Sequence, residues 1–401
     1  MKGIPRTVWA LGFVSLFMDV SSEMIHSLLP VFLVTVLQAG TVSVGLIEGA
    51  SEAVALMTKT FSGALSDWLG RRKVLLFIGY AIGTATKPLF AVAGGIPIVF
   101  AARFIDRIGK GIRGAPRDAL VADATPAHLR GAAFGLRQSL DTVGAVLGPL
   151  LAIACMWATA GDFRLVFWIA VIPGIAALVL IIRSVEEPSV HGGASLRRPV
   201  RWRDLTQLRG AFWIVVLLGA VFTLARFSEA FLLLRAQDTG MASGSIPLIL
   251  VVMNVTYTLV AYPMGRLSDR VGRTGPLSAG LVFLIAADLL LAMADQSWQV
   301  LCASALWGIH MGLTQGMLAA LVADTAGASL RGSAFGIFGL ASGVAILGGN
   351  LIAGYLWSGY GPRMTFAAGA LFATLTLAGY LLFLKWAPGL GRHAAQEGKQ
   401  P

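Results

Sequence analysis

The chain has 401 residues, 56% hydrophobic and 13% charged, and a mean hydropathy of +0.77. Soluble domains carry about 25% charged residues, so there is too little charge to clothe a water-soluble core of this size. The net charge of +11 would suit a polyanion-binding protein, but the positions of the bases exclude nucleic acid as a partner.

Apolar stretches of about 20 residues recur, the length a helix needs to cross about 30 Å of hydrocarbon. At about 33 residues per span and connection, the chain accommodates about twelve. The predicted spans are 8–36, 43–65, 74–93, 97–120, 132–156 and 164–183, then 211–235, 246–266, 275–294, 298–322, 333–357 and 364–386. Lys2 and Arg6 precede the first, but no small-residue cleavage site follows it and Asp19 and Glu23 lie inside it. It therefore reads as a retained span rather than a signal peptide.

Most bases fall on one side. Arg71, Arg72 and Lys73, then Arg130, then Arg197, Arg198, Arg201, Arg203 and Arg209, then Arg270 and Arg273, then Arg331 all lie in connections of that side. Only Arg164, Arg235 and Arg363 sit at the opposite edge. The asymmetry is the positive-inside pattern and predicts both termini in the cytoplasm. Cys155 and Cys302 lie in or beside apolar spans and make no disulfide framework.

Residues 184–210 form the long hydrophilic segment of the chain, rich in Pro, Gly and Arg. They predict a cytoplasmic linker between an N-terminal unit (1–183) and a C-terminal unit (211–387), with a cytoplasmic tail at 388–401. The predicted fold is an all-α polytopic membrane protein of twelve transmembrane helices in two six-helix bundles.

The two halves repeat. LVADATPAHLRGAAFG (120–135) returns as LVADTAGASLRGSAFG (321–336), with eleven identities in sixteen positions. GALSDWLGR (63–71) returns as GRLSDRVGR (265–273), and Ser22-Glu23 has a fainter echo in Ser228-Glu229. A parallel duplication predicts two bundles related by an axis along the membrane normal, with the working site between them.

These motifs resemble those of the major facilitator superfamily over essentially the whole chain. Gly63 to Lys73 resembles its motif A, with Trp68 where Arg is usual, and Gly265 to Arg273 resembles the second-half copy. Arg107-Ile-Gly-Lys110-Gly111-Ile-Arg113-Gly114 resembles motif B, with Lys110 and Arg113 in place of the usual Gln and Gly. Gly144-Ala-Val-Leu-Gly148-Pro149 resembles motif C of the twelve-span drug/proton antiporter branch, without its terminal Gly-Gly. The resemblance implies a secondary transporter working by alternating access. It also implies that the chain is not an enzyme, needs no cofactor and works as a monomer in the bacterial inner membrane.

Asp67 and Asp269 end spans 2 and 8, where a carboxylate can meet the positive N-terminus of a helix in the other half. Arg71 and Arg273 are placed to pair with Asp123 and Asp324. Together these six residues would form a conformational latch; the alternative is ordinary topogenic charge with surface pairs of little strength. Gly144, Gly148 and Pro149 allow close helix contact and free a backbone carbonyl, in either an antiport-related or a purely packing role.

Charges inside spans are costly, so each needs a partner or a task. Asp19, Glu23 and His26 share one face of span 1 at i, i+4 and i+7. Glu48, Glu52 and Lys59 lie in span 2, Arg103, Asp106, Arg107 and Lys110 in span 4, and Arg137 and Asp141 in span 5. With Lys87, acids and bases of this half balance, which predicts an ion-paired network. Asp19, Glu23, Arg107 and Asp141 are the proton-coupling candidates, with Arg107 controlling Asp141 or Asp19. The alternative is permanent pairing with span 4 bases. His26, Arg103, Arg137, Arg226, Glu229, Asn254, His310 and Gln315 are candidates for the substrate cavity. His26 and His310 read as hydrogen-bonded anchors rather than metal ligands.

The leading expectation is a proton-coupled exporter of small organic molecules. The alternative is proton-coupled uptake of an organic anion or metal chelate, motivated by the density of bases around span 4. No GxxxxGK[ST] segment is present for direct ATP drive. The expected partners are a small-molecule substrate, protons and lipid.

Overall fold

The computed structural model describes residues 4–69, 71–186, 210–271, 274–315, 317–326 and 330–386. The linker beyond residue 186, the tail beyond residue 386 and Arg273 lie outside the described residues, as do the side chains of Asp67, Asp269 and Asp324.

The described residues form helices, with no strand among them. In chain order they are α1 (Arg6–His26), α2 (Leu29–Thr35), α3 (Thr41–Leu69), α4 (Arg72–Val92), α5 (Ile96–Ala124), α6 (Arg130–Ala158), α7 (Phe163–Ile169) and α8 (Val171–Ser184). Then follow α9 (Gly210–Ala225), α10 (Ala230–Asp238), α11 (Leu248–Val271), α12 (Thr274–Met293), α13 (Ser297–Thr314), α14 (Met317–Thr325), α15 (Arg331–Tyr360) and α16 (Pro362–Trp386). Ten candidate spans among the described residues are long and apolar enough to cross a membrane. The predicted spans 2 and 4 fall outside that set. They correspond to α3 and α5, each of 29 residues, and α5 carries Arg103, Asp106, Arg107, Lys110 and Arg113 within three turns.

Several predicted spans are broken rather than continuous. Span 1 stops at His26 and restarts at Leu29, because Pro30 in the first turn of α2 has no N–H to give the carbonyl four residues back. The Ser27 N–H donates back to the Glu23 carbonyl at 3.0 Å. Span 7 opens between Ala225 and Ala230. Its freed Ser228 N–H donates to Asn350 Oδ1 at 2.8 Å, and the Ala230 N–H donates to Ser228 Oγ at 3.2 Å. Backbone freed at membrane depth must find such partners. Span 6 breaks at Ala170, whose carbonyl accepts from Ser21 Oγ at 2.6 Å. Span 10 breaks after Thr314, with Gln315 at the cap.

The chain forms two compact units. The first comprises the described residues of 1–39, 50–197 and 242–251; the second, those of 40–49, 198–241 and 252–401. In the first unit α4 lies along α5, and α1 lies against α6 and α8. In the second, α12 packs between α13 and α16, and α9 lies against α15 and α16. The start of α3 belongs to the second unit, where Thr41 Oγ1 donates to the Gly354 carbonyl at 3.0 Å. The two cores are built from corresponding residues. Leu76, Leu120 and Val121 are buried in the first, and Leu277, Leu321 and Val322, each 201 residues later, in the second. Large apolar side chains such as Ile172, Ile182, Leu217, Val344 and Leu382 remain exposed on the helix surfaces. Lipid would cover them.

The three arginines at the opposite edge have structural partners. Arg164 Nη1 donates to the Ala91 carbonyl at 2.9 Å, in the last turn of α4. Arg235 Nε donates to the Leu291 carbonyl at 3.0 Å and its Nη2 donates to the Ala294 carbonyl, closing the end of α12. Arg363 pairs with Asp295 at 3.0 Å just beyond that end. Cations are favoured where helix carbonyls go unpaired.

Candidate functional site

A charge network occupies the first unit, and α5 is its spine. Its bases, Arg103, Arg107, Lys110, Arg113 and Arg117, recur at intervals of three or four residues, so they stack on one side of the helix. Asp106 receives Lys87 from α4 at 3.0 Å, and the same ammonium donates to Ser22 Oγ of α1 at 3.0 Å. Arg103 is 3% exposed beside this pair. One turn on, Arg107 pairs with Glu52 of α3 at 3.0 Å. Arg113 lies over the Tyr80 ring, 4.7 Å from its centroid. Arg117 donates to Ser15 Oγ at 3.0 Å and lies 3.8 Å from Asp141. Asp141 also accepts from Arg137 at 2.7 Å, and Arg137 reaches Gln138 Oε1 at 3.0 Å.

The α1 carboxylates face this spine. Glu23 lies 3.4 Å from His26, with Lys110 and Arg107 as its further electrostatic neighbours. Asp19 is half-buried among Asp141, Lys110, Arg113 and Arg117, and takes no ion pair among the described residues. Both carboxylates sit where α6 comes closest. A Cβ on Gly144 would stand 2.9 Å from the Asp19 Cβ and 2.8 Å from the Leu16 carbonyl oxygen. One on Gly148 would stand 2.6 Å from the Glu23 Cβ and 3.0 Å from the Val20 carbonyl oxygen. Pro149 is buried inside α6. The motif C glycines and the α1 carboxylates are therefore one contact.

The second unit is less charged. Arg226 and Glu229 stand at the break between α9 and α10, with Tyr257 as a further electrostatic neighbour. His310 is fully buried beside Phe222, and its Nδ1 lies 2.8 Å from the Gly280 carbonyl. A carbonyl only accepts, so this nitrogen carries the hydrogen. Asn254 lies half-buried on α11, and Gln315 is exposed at the end of α13. Glu48, at the start of α3, accepts from Ser228 Oγ at 3.4 Å.

One pairing differs from the sequence expectation. Arg72, rather than Arg71, takes Asp123; Arg71 is the residue before α4 begins, and the first-turn side chain makes the reach. Arg107 pairs with Glu52 at 3.0 Å, while Arg137 and Arg117 lie against Asp141. Sequence reading also missed Arg117, which looks like a base at the helix edge. Its position ten residues after Arg107, in register with the other α5 bases, is the signal that would have found it.

Buried charge pairs contributed by five helices, together with helices interrupted beside them, define a membrane transporter rather than an enzyme. The chain belongs to the Major Facilitator Superfamily, whose model matches residues 11–234 and 222–400. It is 32% identical over 383 residues to an uncharacterised MFS-type transporter of Methanocaldococcus jannaschii, covering 94% of each chain. It is 27% identical over 358 residues to the class G tetracycline resistance protein of Vibrio anguillarum, covering 84% of this chain and 85% of that one. A bacterial homologue of the human lysosomal transporter Spinster, solved in an inward-facing and occupied conformation, superimposes with a TM-score of 0.76 at 15% identity. That match covers 96% of this chain and 97% of the other.

Proposed function

We propose that this protein is a proton-coupled secondary transporter that exports small organic molecules in exchange for protons. In this reading α3 and α5 also cross the membrane, giving twelve spans. The protein acts as a monomer in the bacterial inner membrane, with both termini cytoplasmic and the halves 1–183 and 211–387 rocking about the substrate. The observation that carries the reading is the seat of Asp19 and Glu23 on Gly144 and Gly148. Any movement of α6 against α1 changes the surroundings of both carboxylates. Asp19, which takes no ion pair among the described residues, is in this reading the carboxylate that exchanges a proton. The resistance protein among the relatives supports outward transport.

The test is reconstitution in liposomes with recording of lumenal pH under an imposed gradient, against a panel of cationic drugs, organic acids, sugars and metal chelates. Proton movement opposite to the compound is the expected result. Co-directional movement would reject antiport.

A second reading, proton-coupled uptake of an organic anion, is favoured by Lys110. It is exposed and stands among Asp19, Glu23 and Glu52 with Arg107 beside it. Under this reading Lys110→Gln abolishes anion binding and leaves the proton response intact.

A further inference from the structure

The internal repeat can be followed residue by residue through the third and fourth spans of each half. In the first unit Gly79 lies against Gly109 and Arg113; in the second, Gly280 lies against His310 and Thr314. Each member of the second set stands 201 positions after its counterpart. At that interval Lys87 and Asp106, the buried ion pair, correspond to Asp288 and Trp307. The second half has a carboxylate where the first has its cation, and an apolar residue with one N–H where the first has its carboxylate.

Among the described residues the surroundings of Asp288 supply no counter-charge. The side chain is 0% exposed, and neither oxygen has a hydrogen-bond partner among the described residues. Trp307 is 1% exposed and its Nε1–H has no acceptor among them. The two share Phe227. A Cβ on Gly369 would meet Asp288 Oδ2 at 2.6 Å and Phe227 Cε1 at 3.0 Å, and the Phe227 and Trp307 rings lie 6.0 Å apart. Phe366 closes the same cluster, 5.6 Å from Phe227.

The charged groups of the neighbouring helices are engaged elsewhere. On α13, His310 bonds the Gly280 carbonyl. Arg226 and Glu229, at the α9–α10 break, are electrostatic neighbours of each other. On α10, Arg235 bonds the Leu291 and Ala294 carbonyls and Asp238. On α16, Arg363 pairs with Asp295 at the exposed edge.

An ionised carboxylate is not kept in such a place without a partner. Metal cations need several oxygen ligands, whereas the walls here are aromatic rings and a glycine. An organic ammonium needs volume, and Gly369 already lies against the carboxylate oxygen. A proton needs neither. We propose that Asp288 is a proton-binding site of the second half. The proposal does not rest on proton coupling of transport, since it concerns occupancy of the carboxyl in the resting protein.

The test is infrared spectroscopy of the purified protein at neutral pH, without substrate or gradient. The difference between wild type and Asp288→Asn is expected to contain the carbonyl stretch of a protonated carboxylic acid, shifted on transfer to heavy water. A difference containing only carboxylate stretches would overturn the proposal. If Asp288→Asn does not fold, Asp288→Glu keeps the acid and lengthens its arm, and is expected to shift the frequency of the same band. A protonated-carboxyl region unchanged by Asp288→Glu would also overturn it.

Discussion

Lys87 and Asp106 meet at 3.0 Å with side chains 2% and 5% exposed, an ion pair closed off from solvent. The two helices that supply them lie along one another, so the pair pins α4 to α5. Lys87→Met leaves the Asp106 carboxylate buried without its hydrogen-bonded ammonium, and is expected to cost about 3–5 kcal/mol of stability. Pairing it with Asp106→Leu is expected to recover most of that loss. A double-mutant cycle by denaturation in detergent measures it.

Gly148→Ala is expected to force α1 and α6 apart. Its new methyl would stand 2.6 Å from the Glu23 Cβ and 3.0 Å from a backbone oxygen, neither of which can swing away. A stability loss of about 1–3 kcal/mol follows from overpacking, with a larger loss of flux. Thermal unfolding and liposome transport on the same preparation separate the two effects.

Asp19 and Asp141 lie in the same network but are expected to behave differently on neutralisation. Asp19→Asn removes no ion pair, so the folded protein is retained while gradient-driven transport is lost. Asp141→Asn takes from Arg137 its 2.7 Å partner and leaves Asp118 to face both Arg137 and Arg117, so stability and transport fall together. Native gradient-driven flux in Asp19→Asn, Glu23→Gln and Asp141→Asn alike would remove the proton site from the first half.

Arg72→Ala is expected to slow turnover with little effect on substrate affinity, because it releases Asp123 of α5 from the start of α4. Its effect on stability is expected to be below about 1 kcal/mol, as for other part-exposed pairs. Arg71→Ala, one residue away, is expected to leave the rate unchanged. Initial-rate transport over a range of substrate concentrations tests both.

The helices and the repeat were legible in the sequence because hydrophobic length and motif identity survive without knowledge of packing. The acids and bases of the network were legible as a set, since charge in an apolar span stands out by type. Their pairing was not. Lys87 and Asp106 are on different helices, and whether Arg107 meets Glu52 or Asp141 depends on helix rotation that periodicity does not report. The helix breaks were hidden for a related reason. Pro30 sits in a run apolar enough to read as continuous span, and the opening at Ser228 is held by Asn350, far away in sequence. Asp288 was visible only as one charge among several; its isolation is a property of what surrounds it.

The arginines that close the ends of α4 and α12 bear on how charge sets orientation. Arg164 and Arg235 spend their charge on the partial negative ends of helices, and Arg363 spends its own on Asp295. The edge they occupy is therefore closer to electrical neutrality than a count of Lys and Arg implies. The field that orients the chain during insertion acts on unfolded segments, before those helix ends exist, and there the three arginines weigh against the proposed orientation with both termini cytoplasmic. Replacing them with glutamine should make insertion more uniform in direction while leaving the mature helices with frayed ends.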